Sequence, residues 1–317
     1  MARDRRVAKS KAIQRRTGKT FHFATRVLPE RVRHPTYVLY AFFRIADEVV
    51  DDAEGVPPEE QAARLEELRE EALGRAETDS DVMAAFQDVR EERGVQDGEI
   101  NAFIEAMKTD IDKSRYETFD ELRGYMRGSA AAVGAMMTSI MGTEDAEVAH
   151  PHAVALGEAF QMTNFLRDVR EDVVDRDRIY LPKSTLDRHG ATVEQVENLE
   201  FSPAFADAMR AELDRTERLY RQGVAGIQYL PEDCQFAVLL AAVLYADHHR
   251  LIRKLDYDVL SAEPSLGTAR KVWLAARTRW HWQWNRDPVT VFRRVSALPD
   301  AAVERYDTEP PDPLPVP

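Results

Sequence analysis

Two short acidic stretches, Asp47-Glu48-Val49-Val50-Asp51-Asp52 and Arg167-Asp168-Val169-Arg170-Glu171-Asp172, carry the chemistry most open to reading in this chain. Each sets two aspartates four residues apart, Asp47 with Asp51 and Asp168 with Asp172. On a helix such pairs share one face. Like charges held there repel, so a helix that keeps them beside its apolar stripe needs cations. Hard carboxylate oxygens in that arrangement suit Mg²⁺ or Mn²⁺ shared with substrate phosphates. The spacing therefore predicts a metal-bridged phosphate or diphosphate site.

The flanking residues extend both motifs into stripes. Tyr40, Arg44, Asp47 and Asp51 fall at i, i+4, i+7 and i+11, and Gln161, Asn164, Asp168 and Asp172 at i, i+3, i+7 and i+11. Neighbours as apolar as Phe42, Phe43, Met162 and Phe165 put these stripes in an interior cavity. One Asp pair alone reads as solvated surface charge in a chain that is 31% charged. Two matched stripes with embedded Arg, Asn and Gln read as function. The motifs are 121 residues apart and so belong to different helices, which a bundle allows to face each other.

The elements around them are helical. Pro57-Pro58-Glu59-Glu60 opens a helix running to about Arg75, with Leu65, Leu68 and Leu73 on its apolar side. Thr118-Phe119-Asp120-Glu121 reads as a capping box for a long helix ending near Gly142. Pro151, Pro203 after Ser202, and Pro231 read as first-turn prolines of three more, the last running through Tyr245 to about Leu255. No segment offers the alternation a sheet requires. The expectation is an all-α, single-domain bundle of eight or more helices around a central cavity. It would comprise a basic arm over residues 1–16, a helical domain over 17–305 and a disordered, Pro-rich tail over 306–317.

Composition narrows the function classes. A net charge of −13 argues against nucleic-acid binding. Of 43 basic residues only 8 are Lys, and an acidic, Lys-poor surface suits high intracellular salt. The single cysteine, Cys234, excludes an internal disulfide and a Cys-based zinc cluster. With no apolar signal region, and with its most apolar run, Phe236 to Ala246, too short for a bilayer, the chain is expected to be cytoplasmic, with a peripheral membrane contact left open.

The segment Tyr40-Ala41-Phe42-Phe43-Arg44-Ile45-Ala46-Asp47-Glu48-Val49-Val50-Asp51 resembles the first aspartate-rich region of the squalene and phytoene synthases, the head-to-head prenyl synthases. Gly157 through Gln161, Thr163-Asn164, Leu166-Arg167-Asp168-Val169, Glu171-Asp172 and Arg178-Ile179-Tyr180-Leu181-Pro182 are similar to the second. Lys19-Thr20-Phe21 and Asp256-Tyr257-Asp258 resemble the family's terminal elements, so the likeness spans about residues 10 to 275. Two departures stand out: Ala131 where the family has a glycine, and Glu263 about where many members carry an arginine.

The resemblance implies an isoprenoid-synthase-type fold. It implies Mg²⁺ or Mn²⁺ held by Asp47, Asp51, Asn164, Asp168 and Asp172, and diphosphate pairing by Arg44 and Arg167. Thr20, Phe21, Glu48, Gln161, Arg178, Tyr180 and Tyr245 would contact substrate, with Phe21, Tyr40, Tyr180 and Tyr245 shielding cations. Taken singly, each aromatic is explained by core packing. The local wording resembles phytoene synthases most. That implies condensation of two geranylgeranyl diphosphates through a cyclopropyl diphosphate to phytoene without NADPH, with downstream carotenoid enzymes as conceivable partners. Squalene or dehydrosqualene formation from farnesyl diphosphate is the alternative, and a non-catalytic cation-binding scaffold is the alternative of another class.

Other features read as structural. Glu147 and His150 have the Glu-x-x-His spacing of di-iron bundles in a single copy, and His248-His249 lacks zinc-ligand spacing. Trp280, Trp282 and Trp284, with Arg277, Arg279 and Arg286, suit a membrane interface, but packing against the last helices is the reading adopted.

Overall fold

A computed structural model describes residues 23–51 and 55–299. These residues form fourteen α-helices and no strand; one isolated parallel bridge joins Arg115 to Ile179. The all-α expectation is met. The basic arm, Thr20, Phe21, Asp52 and the Pro-rich tail lie outside the described residues.

The helices are α1 (Glu30–Asp51), α2 (Pro58–Ala72), α3 (Asp81–Arg93), α4 (Asp97–Asp112), α5 (Phe119–Met126), α6 (Ala132–Met141), α7 (Ala146–Arg167), α8 (Val169–Arg176), α9 (Lys183–His189), α10 (Val193–Glu197), α11 (Pro203–Ala225), α12 (Glu232–Lys254), α13 (Thr268–Trp284) and α14 (Pro288–Val295). α1 packs against α3 and α4, while α7 lies between α6, α11 and α12. α1 carries the first aspartate motif, and the end of α7 with α8 carries the second, on opposite sides of the bundle's interior.

Local chemistry explains the boundaries. Leu65 and Leu68 are fully buried on α2, and Gly74, with φ of +70°, follows its end. The Ser202 hydroxyl accepts from the Phe205 amide, and Pro203 fills the next position, where a missing N–H is harmless. At α5 the Thr118 hydroxyl accepts from the Glu121 amide, but the Glu121 carboxylate accepts from the Glu117 amide, so the reciprocal box shifts by one residue.

The helix expected from Thr118 to Gly142 does run that far, with an unforeseen π-helical segment at Arg127–Ala131 between α5 and α6. Such bulges are frequent at functional sites, and Ser129 and Ala130 of this segment line the central cavity. Close helix approach needs glycine at two positions. A Cβ on Gly157 of α7 would stand 2.6 Å from the Ala130 carbonyl oxygen, and one on Gly134 of α6 would stand 2.6 Å from that of Ala153.

Two expectations are corrected. α7 begins at Ala146, so Pro151 lies inside it rather than in its first turn. The ring leaves the Glu147 carbonyl unbonded, but Glu147 and Pro151 are both exposed, where water satisfies it. The second stripe also crosses a break: α7 ends at Arg167 and α8 starts at Val169, with Asp168 at φ −102° and ψ 17° between them. The stripe survives because the Asp168 amide still donates to the Asn164 carbonyl (2.9 Å) and the Asp172 amide to that of Asp168 (2.8 Å).

Candidate active site

One cavity of about 800 Å³ collects both stripes. Tyr40, Arg44, Asp47 and Asp51 line it from α1; Gln161, Asn164 and Arg167 from α7; Asp168 and Asp172 from the α7–α8 junction and α8. Arg178, Tyr180 and Tyr245 complete the expected set. Glu48 stands apart, half-exposed and 3.8 Å from Arg44.

The acidic groups are held by arginines. Arg44 lies 3.2 Å from Asp47, and Arg167 forms a forked pair with its neighbour Asp168. Arg176 donates to Asp172 at 2.9 Å and lies 3.8 Å from Asp51, so one guanidinium spans the two motifs. Arg178 donates to Asp51 at 3.2 Å and to the Asp110 carbonyl at 2.9 Å. The motifs do face each other across one space.

Burial sets the electrostatics. It pushes the Asp47 carboxyl up to about 7, Arg44 opposing and Asp51 adding like-charge repulsion. Although 32% of the Asp47 side chain is accessible, it opens on the cavity, so desolvation still dominates. Burial likewise pushes Asp172 up to about 7, with Arg176 opposing and Asp168 adding to the rise. The cavity concentrates more carboxylate than its arginines neutralise.

This donor set fits a divalent cation: all hard oxygens, in a place where each carboxylate is costly to keep charged without one. Carboxylate oxygens of Asp168, Glu171 and Glu263 already lie within 4.8 Å of one another. That grouping shares only Asp168 with the ligand set inferred from the resemblance. Glu263, noted in the sequence as a departure, thus stands beside an aspartate motif.

Further lining residues escaped the sequence reading. Arg176 follows Asp172 at i+4, the same spacing that revealed the aspartates. Asp110 of α4 accepts from the Tyr125 hydroxyl at 2.7 Å, and burial pushes its carboxyl up to about 6; no spacing rule points to it. His248 lies 3.1 Å from the Tyr245 carbonyl through Nδ1 and lines the cavity. Burial, with Arg167 adding to the effect, depresses its pKa to about 3 and keeps it neutral.

Behind the polar cavity lies a second, apolar one of about 140 Å³. Val133, Met137, Gly157 and Phe160 line both. Ala153, Leu156, Ile227, Val238 and Ala241 enclose its far part. A polar head region and a greasy extension therefore adjoin.

A squalene/phytoene synthase family model matches residues 14–276. The chain belongs to this family. It is 32% identical over 275 residues to phytoene synthase of Rhodobacter capsulatus, covering 83% of this chain and 78% of that one. It is 30% identical over 271 residues to 15-cis-phytoene synthase of Synechococcus elongatus, covering 82% and 88%. Among solved structures, a dehydrosqualene synthase with bound ligand superposes with a TM-score of 0.80 at 26% identity, covering 89% of this chain and 98% of its own. Squalene/phytoene synthases are prenyl transferases that depend on divalent metal, so the chain is an enzyme and a prenyl diphosphate is its expected class of substrate. No described helix is long and apolar enough to cross a membrane.

Proposed function

We propose that the protein is a phytoene synthase, joining two geranylgeranyl diphosphates head to head through a cyclopropyl (prephytoene) diphosphate for carotenoid biosynthesis. The observation that carries this is the pair of aspartate motifs facing across one cavity, with an apolar extension behind them. Relatives named phytoene synthase support the choice of product.

Asp47, Asp51, Asn164, Asp168 and Asp172 would hold Mg²⁺ or Mn²⁺, joined at Asp168 by Glu171 and Glu263. Bound there, the ions neutralise charge on the leaving diphosphate. Arg44, Arg167, Arg176 and Arg178 turn from their aspartates to diphosphate oxygens. Gln161 adds an uncharged contact, and the resemblance adds Thr20 and Glu48 as further substrate contacts. The allylic cation left by ionisation is attacked by the double bond of the second substrate, and loss of a proton from the adduct closes the cyclopropane ring. The resulting cyclopropyl diphosphate ionises in turn, rearranges and loses a proton to give the C40 triene. Tyr40, Tyr180 and Tyr245 keep water from these cations and present ring faces to them, and the resemblance adds Phe21 to that shielding. Phe165 stacks on Tyr180 with centroids 3.9 Å apart and fixes that ring.

The second reading, a dehydrosqualene synthase on farnesyl diphosphate, is favoured by the superposition with a solved enzyme of that name. One experiment separates them. Purified protein is incubated with geranylgeranyl or farnesyl diphosphate and Mg²⁺, without NADPH, at high salt to suit its acidic surface. A C40 hydrocarbon with a central conjugated triene is expected, and Asp168→Ala should lose turnover while keeping the helical circular-dichroism signal. A longer prenyl diphosphate, or no hydrocarbon from either substrate, refutes the assignment. Because a C40 hydrocarbon has to leave into lipid, we also propose that the enzyme works in the cytoplasm against a membrane.

A further inference from the structure

The helix that follows the cavity rim carries an unusual outer face. Of the four tryptophans in the chain, Trp282 is buried, whereas Trp273, Trp280 and Trp284 are 45, 62 and 77% exposed. These three fall at i, i+7 and i+11 of α13 and share one face, while Leu274, Thr278 and Trp282 face the bundle. The Trp280 and Trp284 rings meet edge to face with centroids 6.2 Å apart, forming a paired aromatic surface. Packing against the last helices, the expectation from sequence, holds for Trp282 alone. A large exposed aromatic face marks an interaction surface.

The charge around it is opposite to that of the protein. Residues 268–295 hold seven Arg or Lys and one carboxylate, Asp287, in a chain of net charge −13. Arg270 is drawn to Asp247, and Arg277 lies over the Trp273 ring. Arg279, Arg286, Arg293 and Arg294 have no carboxylate partner among the described residues. Tryptophan beside unpaired arginine is the composition of a membrane-surface helix. A second copy docked face to face would oppose these arginines to their own images, and like charges repel.

We propose that the α13 face built from Trp273, Trp280, Trp284 and Arg279 docks on an anionic lipid bilayer. Lys271, on the first turn of α13, lines the polar cavity from the side of the helix that faces the bundle, so the helix whose outer face docks also borders the cavity rim. A hydrocarbon product leaving that rim would meet lipid. The surface identifies where the proposed membrane contact lies and stands whichever prenyl diphosphate is the substrate.

Flotation of the full-length protein with phosphatidylcholine vesicles, with and without phosphatidylglycerol, tests it alongside tryptophan emission. Binding and a blue shift are expected with phosphatidylglycerol at low salt, weakening as salt rises. The Trp280→Ala/Trp284→Ala and Arg279→Gln/Arg286→Gln variants should each bind at least about tenfold more weakly, with melting curves like the parent's. All four residues are exposed, and among the described residues the arginines touch the fold only by lying over the rings of Phe236 and Trp282, so folding should be retained. Undiminished binding by both variants would assign vesicle affinity to another part of the chain and overturn the proposal. So would equal binding to neutral vesicles. A parent that ignores vesicles but sediments as a dimer, with the tryptophan variant monomeric, would make the face an interface between copies instead.

Discussion

Substrate length should be set by the apolar cavity, and Ala241→Phe tests this. Ala241 lies on α12, 8% exposed, at the wall of the 140 Å³ space. At about 10–15 Å³ for each water-sized group, that space holds on the order of ten heavy atoms, or roughly two isoprene units. The ring added at position 241 occupies about six of them, leaving too little for two units but nearly enough for one. A C20 chain would then leave one five-carbon unit unburied. At about 0.8 kcal/mol for each buried carbon, this costs up to about 4 kcal/mol, or roughly a thousandfold in kcat/KM. Steady-state kinetics with geranylgeranyl and farnesyl diphosphates, with products identified by chromatography, should show a loss of about 10²- to 10³-fold for C20 and less than about tenfold for C15. Parallel losses for both substrates, or an unaffected C20 rate, would refute the idea that this cavity receives the distal end of the chain.

Two further perturbations probe other parts of the molecule. Glu217 is buried beside Arg253 and the Nδ1 of His249, whose Nε2 lies 3.1 Å from the Thr163 hydroxyl on α7. Glu217→Ala strands these partners, which should cost about 2–4 kcal/mol and lower Tm by roughly 5–12 °C; a shift within about 1 °C on thermal melting would show the network to be dispensable. Metal-free protein should lose stability as pH rises. Asp47 and Asp172, pushed up to about 7 in the folded chain, hold protons that the unfolded chain releases near pH 4, so folding binds protons in that window and weakens across it. Melting in EDTA should show a higher Tm at pH 5 than at pH 8, with Mg²⁺ raising it chiefly at pH 8. A Mg²⁺ effect independent of pH would contradict that assignment.

The sequence was most informative where one helix period governs several residues. Tyr40, Arg44, Asp47 and Asp51 could be placed on one face from spacing alone, and all line the cavity. The same rule applied to Trp280, Trp282 and Trp284 separates the middle ring from its neighbours, because positions two apart point to opposite sides of a helix. Reading the three as a unit hid the exposed pair. Asp110 was illegible for another reason, and Glu263 showed only as a departure from the family: they reach the cavity from α4 and from a loop, and no period links them to either motif. The π-helical segment was hidden too. Its Gly128 lies so close to α4 that a Cβ would stand 2.1 Å from the Ala102 carbonyl oxygen, a packing constraint with no local signature.

The pairing of arginines with aspartates gives the site a logic that neither motif has alone. Asp47, Asp51, Asp168 and Asp172 each have an arginine partner, with Arg176 bridging Asp51 and Asp172. A carboxylate that passed to a metal ion would free its guanidinium, and a diphosphate arriving with that ion supplies the acceptor the guanidinium then needs. Metal alone would leave arginines buried without partners; diphosphate alone would add negative charge to carboxylates that burial already disfavours. Each half of the exchange is therefore unfavourable without the other. The arrangement favours joint binding of metal and diphosphate, which confines ionisation to the filled cavity, where the cation meets a second prenyl chain instead of water.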